Sequence, residues 1–350
     1  MNGPTASDLP DAGLGEASAI DSVPRPICPL CGADGPFVFR GLRDMLFGAP
    51  GAWSMRRCGD RGCGLHWLDP MPTEKDIGKA YAKYYTHEDV SAGSGPVVGP
   101  AARWAFKAIK PLLKLVVRLA GLRRLERDWG RRAVDLFIDD PAPGARLIDV
   151  GCGNGDFLAH MRERGWSVEG AEVDPKAVVN ARARHDIEVH LGSLAELGLP
   201  ADTFDAVTMN HVIEHVHEPL ALVSECLRVI KPGGRLVLVT PNSESLGHRR
   251  FRQNWRGLEP PRHLHIFSAD ALGSLVVRAG FSSFETWSSP ANAEGILMAS
   301  ILLEQREKRR SAWSFGDFVR LFVLRYAELR LVDRGHHSGE EVVLVAVKGG

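Results

Sequence analysis

The sequence predicts an α/β protein built on a doubly wound, mostly parallel seven-stranded sheet with an antiparallel edge strand, and three observations carry that prediction. From Arg146 onward, short apolar runs of strand length alternate with segments of helical period. The first run ends in a glycine-rich turn, Gly151-Cys152-Gly153-Asn154-Gly155. The last run, EVVLVAV, stands alone after a long helical stretch. Strands alternating with helices imply crossover connections and therefore parallel pairing, and an antiparallel strand added late to such a sheet is common.

The elements follow in order. LIDV (147–150) is a short buried strand, and Phe157, Leu158 and Met161 mark the helix after it. Then come strand SVEGAEV, helix PKAVVNARAR, strands IEVHLG and FDAVTMN, helix PLALVSECLRVI, a KPGG turn and strand RLVLVT. A helix over Ala269–Ala279, a strand over Phe284–Trp287 and a helical insert at about 291–334 precede the final strand. Together these make one expected domain, 141–350. Ahead of it, residues 1–26 carry little to bury and read as a disordered tail. Residues 27–88 bring cysteines, glycine turns and aromatics, a small zinc-ribbon-like module. Residues 89–102 form a Gly/Ser/Pro linker, and 103–140 a basic helical segment.

Composition excludes several classes. Lys plus Arg equals Asp plus Glu at 43 each, so no global field attracts nucleic acid and no such partner is expected. Met1 to Asp21 lacks the basic start and apolar run of a secretory signal. No stretch approaches the roughly 18–20 apolar residues that span a bilayer. Four of the six cysteines cluster and two lie alone in apolar surroundings, unlike a secreted disulfide scaffold; a cytoplasmic protein is expected.

The glycine turn departs from both common phosphate-binding patterns. A dinucleotide fingerprint needs Gly three residues after Gly153, where this chain has Asp156, and no Lys-Ser/Thr follows to make a phosphate loop. An acidic residue there suits a ligand with a positive end. Glu172 closes the second strand, 23 positions after Asp149. A carboxylate at that place accepts ribose hydroxyls, or is simply a solvated acid at a strand end.

The stretches LIDVGCGNGDF, VEGAEVD, FDAVTMNHVIEHV, LRVIKPGGRLVLVTPN and PPRHLHIFS, over about 146–267, resemble the class I S-adenosylmethionine-dependent methyltransferases, specifically the bacterial group acting on small molecules and glycans. The resemblance implies that Asp149, Gly151, Gly153 and the following Gly155 line the methionine end of the cofactor. It implies Glu172 at the ribose with Val173 beside the adenine, Ser193 and Leu194 bordering the adenine, and Asn210 and His211 beneath the sulfonium. Many relatives carry Asp where this chain has Ser193, so adenine contact there falls to backbone or to the serine. Exocyclic-amine methyltransferases carry Asp/Asn-Pro-Pro-aromatic where this chain reads Met209-Asn210-His211-Val212, and Cys226 sits in an apolar helix rather than at a nucleophile position. The expected reaction is methyl transfer to a small-molecule, sugar or lipid-linked acceptor, to oxygen in the first instance. C- or N-methylation of a sugar or polyketide, or a non-catalytic cofactor-binding domain, are the alternatives.

Cys28-Pro-Leu-Cys31 and Cys58-Gly-Asp-Arg-Gly-Cys63 are separated by 26 residues, and each pair sits in a glycine-bearing turn. Four thiolates so arranged suit a closed, structural zinc site with no open position for catalysis. The block, including Gly64-Leu65-His66-Trp67-Leu68-Asp69-Pro70, resembles the N-terminal module of sugar and polysaccharide-locus methyltransferases. By that analogy Tyr84 or Tyr85 reaches the acceptor; core packing is the other reading.

Glu214, His215, His263 and His265 are the candidate catalytic residues. His211 and His215 are four apart on an expected helix and share a face, while His263 and His265 lie in a loop on the acceptor side. The group reads as a hydrogen-bonded packing network, as a general base for an acceptor hydroxyl, or as a divalent-metal clamp. Metal-dependent relatives place Glu where His211 stands. Finally, Arg103–Arg132 holds ten Lys/Arg and two acids among apolar residues, either a helix covering the fold or a contact with an anionic membrane surface. The helical insert is positioned to cap the acceptor pocket.

Overall fold

The computed structural model describes residues 19–82, 100–310 and 312–350. Its centre is a seven-stranded sheet formed by β6 (Arg146–Val150), β7 (Ser167–Glu172), β8 (Glu188–Leu191), β9 (Phe204–Asn210), β10 (Ile230–Pro241), β12 (Ser283–Ser289) and β13 (Glu341–Val347). The spatial order is β12-β13-β10-β9-β6-β7-β8. β6 to β10 are mutually parallel, and β13 runs antiparallel to both neighbours. The antiparallel strand therefore lies one place in from the edge that β12 occupies. The KPGG segment is part of β10, where the register with β9 shifts between Ile230 and Arg235.

Alternation along the strands builds two cores, because successive side chains of a strand point to opposite faces. Ile148, Val207 and Leu236 pack with Val223 and Cys226 of α5 (Pro219–Val229) and Leu272 and Leu275 of α7 (Ala269–Ala279). Their neighbours Leu147, Ala206 and Val237 pack with Leu158 and Met161 of α3 (Asp156–Glu163) and Val178 and Ala181 of α4 (Pro175–His185). Helices on both faces follow directly from strands that are apolar on both sides.

The cysteine-bearing segment contributes β1 (Ser22–Val23), β2 (Phe37–Leu42), β3 (Trp53–Arg57), β4 (His66–Leu68) and β5 (Met71–Pro72). It is not a separate body. A four-stranded sheet of order β11-β4-β3-β2 takes one strand, β11 (His265–Ile266), from the α/β domain, and the apolar core runs continuously from Trp53 and Trp67 to Phe267 and Leu272. Arg262 is fully buried and stitches the two parts together. It pairs with Asp44 at 2.8 Å and Glu259 at 2.9 Å, and donates to the Ala80 carbonyl at 2.8 Å.

Two boundaries differ from the sequence expectation. Ser22–Val23 pairs with Met71–Pro72, and the Trp67 indole donates to the Arg25 carbonyl at 2.7 Å; residues 19–26 belong to the fold, not to the tail. The basic segment begins at Pro100 and forms two helices, α1 (Pro100–Leu119) and α2 (Leu122–Val134). The rest of the expected linker, with Tyr84 and Tyr85, lies outside the described residues. The insert is a helical pair, α8 (Ala293–Glu307) and α9 (Phe315–Asp333), and the short α6 (Leu246–Phe251) follows β10.

Candidate functional site

Parallel strands leave a crevice at their carboxyl ends, where the order of connections reverses. β6 and β9 meet there, and a cavity of 1550 Å³ opens beside them. That exceeds the roughly 300–1,000 Å³ of a typical single-ligand pocket, enough for two ligands side by side.

The glycine turn forms one wall. Gly151 has φ +73°, and a Cβ there would lie 2.5 Å from Val212, so only glycine brings the backbone this close. Glu172 at the end of β7 organises the turn: its carboxylate accepts from the N–H groups of Gly153 (2.9 Å), Val173 (2.8 Å) and Asp174 (3.0 Å). A carboxylate has about four acceptor positions, which leaves capacity for a ribose hydroxyl. Gly151, Glu172, Val173, Ser193, Leu194 and His211 line the cavity. Asp149, Gly153, Gly155 and Asn210 do not. Asp149 is buried and accepts from Thr208 Oγ1 at 2.5 Å. Burial pushes its pKa up to about 7 against the pull of that hydroxyl, and the charge of Glu172 adds to the rise. A ligand cation nearby would favour the ionised form. Ser193 is committed elsewhere, since its hydroxyl donates to Glu196 at 2.6 Å and its N–H at 2.8 Å.

Glu172→Ala is expected to weaken binding of S-adenosylmethionine by about 1–3 kcal/mol, the loss when a hydrogen-bonded partner goes unmatched. Calorimetry giving equal affinities for variant and parent would remove Glu172 from the site.

The other wall gathers the histidines, though not through a shared helix. Residues 213–215 form a single 3-10 turn, α5 starts only at Pro219, and His211 has φ +56°. His211 is clamped between two acids, with Nδ1 3.2 Å from Glu214 and Nε2 2.9 Å from Glu341 of β13. Burial opposes its charge, but these two carboxylates outweigh it and raise its pKa to about 10. Glu214 is fully buried, and burial alone would raise its pKa; His211 and the neighbouring histidines bring it down to about 2. It also accepts from Thr240 Oγ1 at 2.9 Å. Glu214 does not line the cavity, so it acts through its neighbours.

His215 and His263 do face the cavity, their rings edge to face with centroids 4.7 Å apart. His215 Nδ1 is 3.0 Å from the Arg262 carbonyl and 3.0 Å from Tyr81 Oη. A carbonyl can only accept, so this network assigns the proton to Nδ1 and the lone pair to Nε2. His263 Nδ1 likewise faces the Gly257 carbonyl at 2.7 Å. Burial lowers both pKa values, that of His263 well below the ordinary 6.5. One nitrogen of each ring and a carboxylate oxygen of Glu214 lie within 4.8 Å of one another.

His265 does not join them. It is fully buried in β11 opposite Trp67, away from the cavity, and burial lowers its pKa to about 3. Its removal from the catalytic set is a correction. The expected acceptor-side loop holds for His263, whose N–H closes a turn onto the Glu259 carbonyl (3.2 Å), but ends at His265, where β11 begins. Sequence reasoning missed Tyr81, which lines the cavity beside His215, and the charged rim of Arg256 and Glu259. The signal for Tyr81 was the tyrosine-bearing stretch that directed attention to Tyr84 and Tyr85.

Away from the cavity, Cys28, Cys31, Cys58 and Cys63 bring four sulfurs within 4.8 Å of one another. Cys28 and Cys63 are 3.8 Å apart, and Cys31 and Cys58 3.3 Å. Four thiolates about 2.3 Å from a tetrahedral ion stand about 3.8 Å from each other, so the donor set and its spacing fit zinc.

Residues 122–285 match the family model described as "Methyltransferase domain". A "probable S-adenosylmethionine-dependent methyltransferase" of Mycolicibacterium smegmatis is 34% identical over 167 residues, covering 46% of this chain and 62% of that protein. The ubiquinone biosynthesis O-methyltransferase of Cereibacter sphaeroides is 31% identical over 157 residues, covering 42% and 64%. The chain thus spans less than two thirds of the length of either relative. Among solved structures, phosphoethanolamine N-methyltransferase 2 of Haemonchus contortus is 20% identical with a TM-score of 0.43, covering 63% of this chain and 53% of that one, a likeness too loose to carry an argument.

Proposed function

We propose that the chain is a class I S-adenosylmethionine-dependent methyltransferase and moves a methyl group onto a hydroxyl oxygen of a small, partly apolar acceptor. The reading is carried by His215, which lines the cavity with Nδ1 3.0 Å from the Arg262 carbonyl, a contact that assigns the proton to Nδ1 and leaves Nε2 as the basic nitrogen. When bound, the cofactor supplies an electrophilic methyl carbon and keeps the sulfur–carbon electron pair. Gly151, Glu172, Val173 and Leu194 would hold it. His215 takes the hydroxyl proton as the oxygen attacks, and Tyr81 fixes the ring with Arg262. Glu214 stays ionised behind the ring and stabilises the imidazolium that results. Ile77, Val216, Leu222 and Met298 give the acceptor an apolar wall, with Arg256 and Glu259 as its polar contacts. The name of the Cereibacter sphaeroides relative, an O-methyltransferase of ubiquinone biosynthesis, supports oxygen as the acceptor atom. The four-cysteine cluster holds a structural zinc in this reading.

The Glu214–His215–His263 cluster favours a second reading, a divalent cation that lowers the pKa of the acceptor hydroxyl. Methyl transfer from labelled cofactor to a panel of phenolic and sugar hydroxyls, with the product bond located by mass spectrometry, tests the acceptor atom. With His215 as base, activity is expected to survive chelator. Loss with chelator and recovery with Mg²⁺ or Mn²⁺ would replace the base by the metal.

A further inference from the structure

We infer that α1 is a docking surface for an anionic lipid membrane. The helix has two apolar faces, and only one is used. Val117 is buried against Leu122 of α2 and Leu329 of α9, with Phe322 and Tyr326 beside them. The opposite side repeats at helical spacing as Trp104, Ala108, Leu112, Leu115 and Leu119, and all of it is exposed. Trp104 is 79% exposed, Leu119 78% and Leu112 60%. A contiguous stripe of this kind on a protein surface marks an interaction site. A tryptophan at one end suits the boundary between headgroups and acyl chains.

Charge selects the occupant. Lys107 and Arg118 are exposed along one edge of the stripe; the following α2 also exposes Arg123 and Arg127, and Arg124 and Arg131, which share Asp128. An apolar face bordered by cations is complementary to a bilayer with anionic headgroups. A second copy of the chain fits less well, because an antiparallel two-fold contact through the stripe would set the two cationic edges side by side. No helix among the described residues is long and apolar enough to cross a membrane, so α1 lies along the surface.

The surface is joined to the cavity. α9 packs on α1, α2 and α8. Arg325 of α9 pairs with Glu126 of α2 at 2.5 Å and also with Glu294 of α8, and Glu294, Gly295 and Met298 line the cavity. Docking through α1 is therefore linked to that wall through α9 and α8. The docking itself does not depend on the catalytic reading.

The test is co-sedimentation of the full chain with vesicles of phosphatidylcholine alone or of equal parts phosphatidylcholine and phosphatidylglycerol. Binding is expected only to the anionic vesicles, falling as salt is raised. The triple variant L112S/L115S/L119S, with all three sites exposed, is expected to keep its melting temperature and to lose at least about tenfold in partitioning. Lys107→Glu and Arg118→Glu are each expected to cost about fivefold. Absence of binding to anionic vesicles, or binding unchanged in the triple variant, overturns the proposal. So does a dimer of the parent chain that the triple variant dissolves without any vesicle binding, which would assign the stripe to self-association.

Discussion

His215→Ala is expected to lower kcat by roughly 10²- to 10⁴-fold, the usual contribution of a positioned general base, with the cofactor's Kd nearly kept. The separation follows from the two walls of the cavity: Glu172 and the glycine turn on one, His215 and His263 on the other. The pH dependence carries the sign. Burial lowers the His215 pKa from 6.5, so the ring is already neutral at pH 7. The rate should be flat there and fall only in acid, as pH drops below 6.5 and through the folded value. The contribution of these histidines to stability changes in the same direction. The unfolded chain binds a proton at His215 and His263 below 6.5 while the folded chain resists it, so that contribution is lost as pH falls across the window. His66 and His265, lowered by burial to about 3, extend the window further into acid. Asp149 and Glu340, raised by burial to about 7, act in the opposite sense between about 7 and the ordinary carboxylate range. Comparing rate and thermal melts at matched pH separates the two effects. A rate that falls where the melt does not is the signature of the base. Turnover preserved in His215→Ala, with only the melt lowered, would reduce the cluster to packing.

Cys58→Ser is expected to strip the N-terminal block of its metal, from about one zinc per chain in the parent to none, and to disable the far side of the cavity as well. Structural zinc contributes about 10–16 kcal/mol in apparent binding free energy, the same order as the roughly 5–15 kcal/mol that holds a typical domain together. At about 2–4 °C per kcal/mol for a domain of roughly 150–250 residues, a loss of several kcal/mol lowers the Tm by about 10 °C. Turnover should fall with it. β4 pairs with β11, the Leu68 N–H reaches the Leu264 carbonyl at 3.0 Å, and Arg262 ties Asp44 to the loop that carries His263. Cofactor affinity, set by the earlier strands, should change little. Metal analysis finding no zinc in a parent protein purified without chelator would end this account.

The contrast between those two walls also explains what was legible in the sequence. The glycine turn, Glu172 and Leu194 belong to consecutive strand–helix units, where period and spacing alone bring the residues to one sheet end. The four cysteines were equally readable, because two short turns with glycines leave little freedom in where the thiols point. The acceptor side was harder. Tyr81 meets His215 across 134 residues of chain, and no local pattern encodes such a contact. His211 and His215 do come together, but through a left-handed residue and a 3-10 turn rather than a helix face. His265 was misplaced because it was read in one loop with His263, and that loop gives way to β11 at His265. The addition of β11 from the α/β domain to the N-terminal sheet was invisible, since a two-residue strand has no period.

The clamp on His211 has a consequence for the order in which the site matures. One of its carboxylates, Glu214, is three residues away, but the other, Glu341, arrives on β13, which inserts between β10 and β12. As the chain emerges from the ribosome, the cofactor-side strands β6 and β7 are complete more than a hundred residues before the strand that seats His211. A nascent chain stopped short of Glu341 would lack the second carboxylate on His211, so the histidine wall is the part of the cavity braced last.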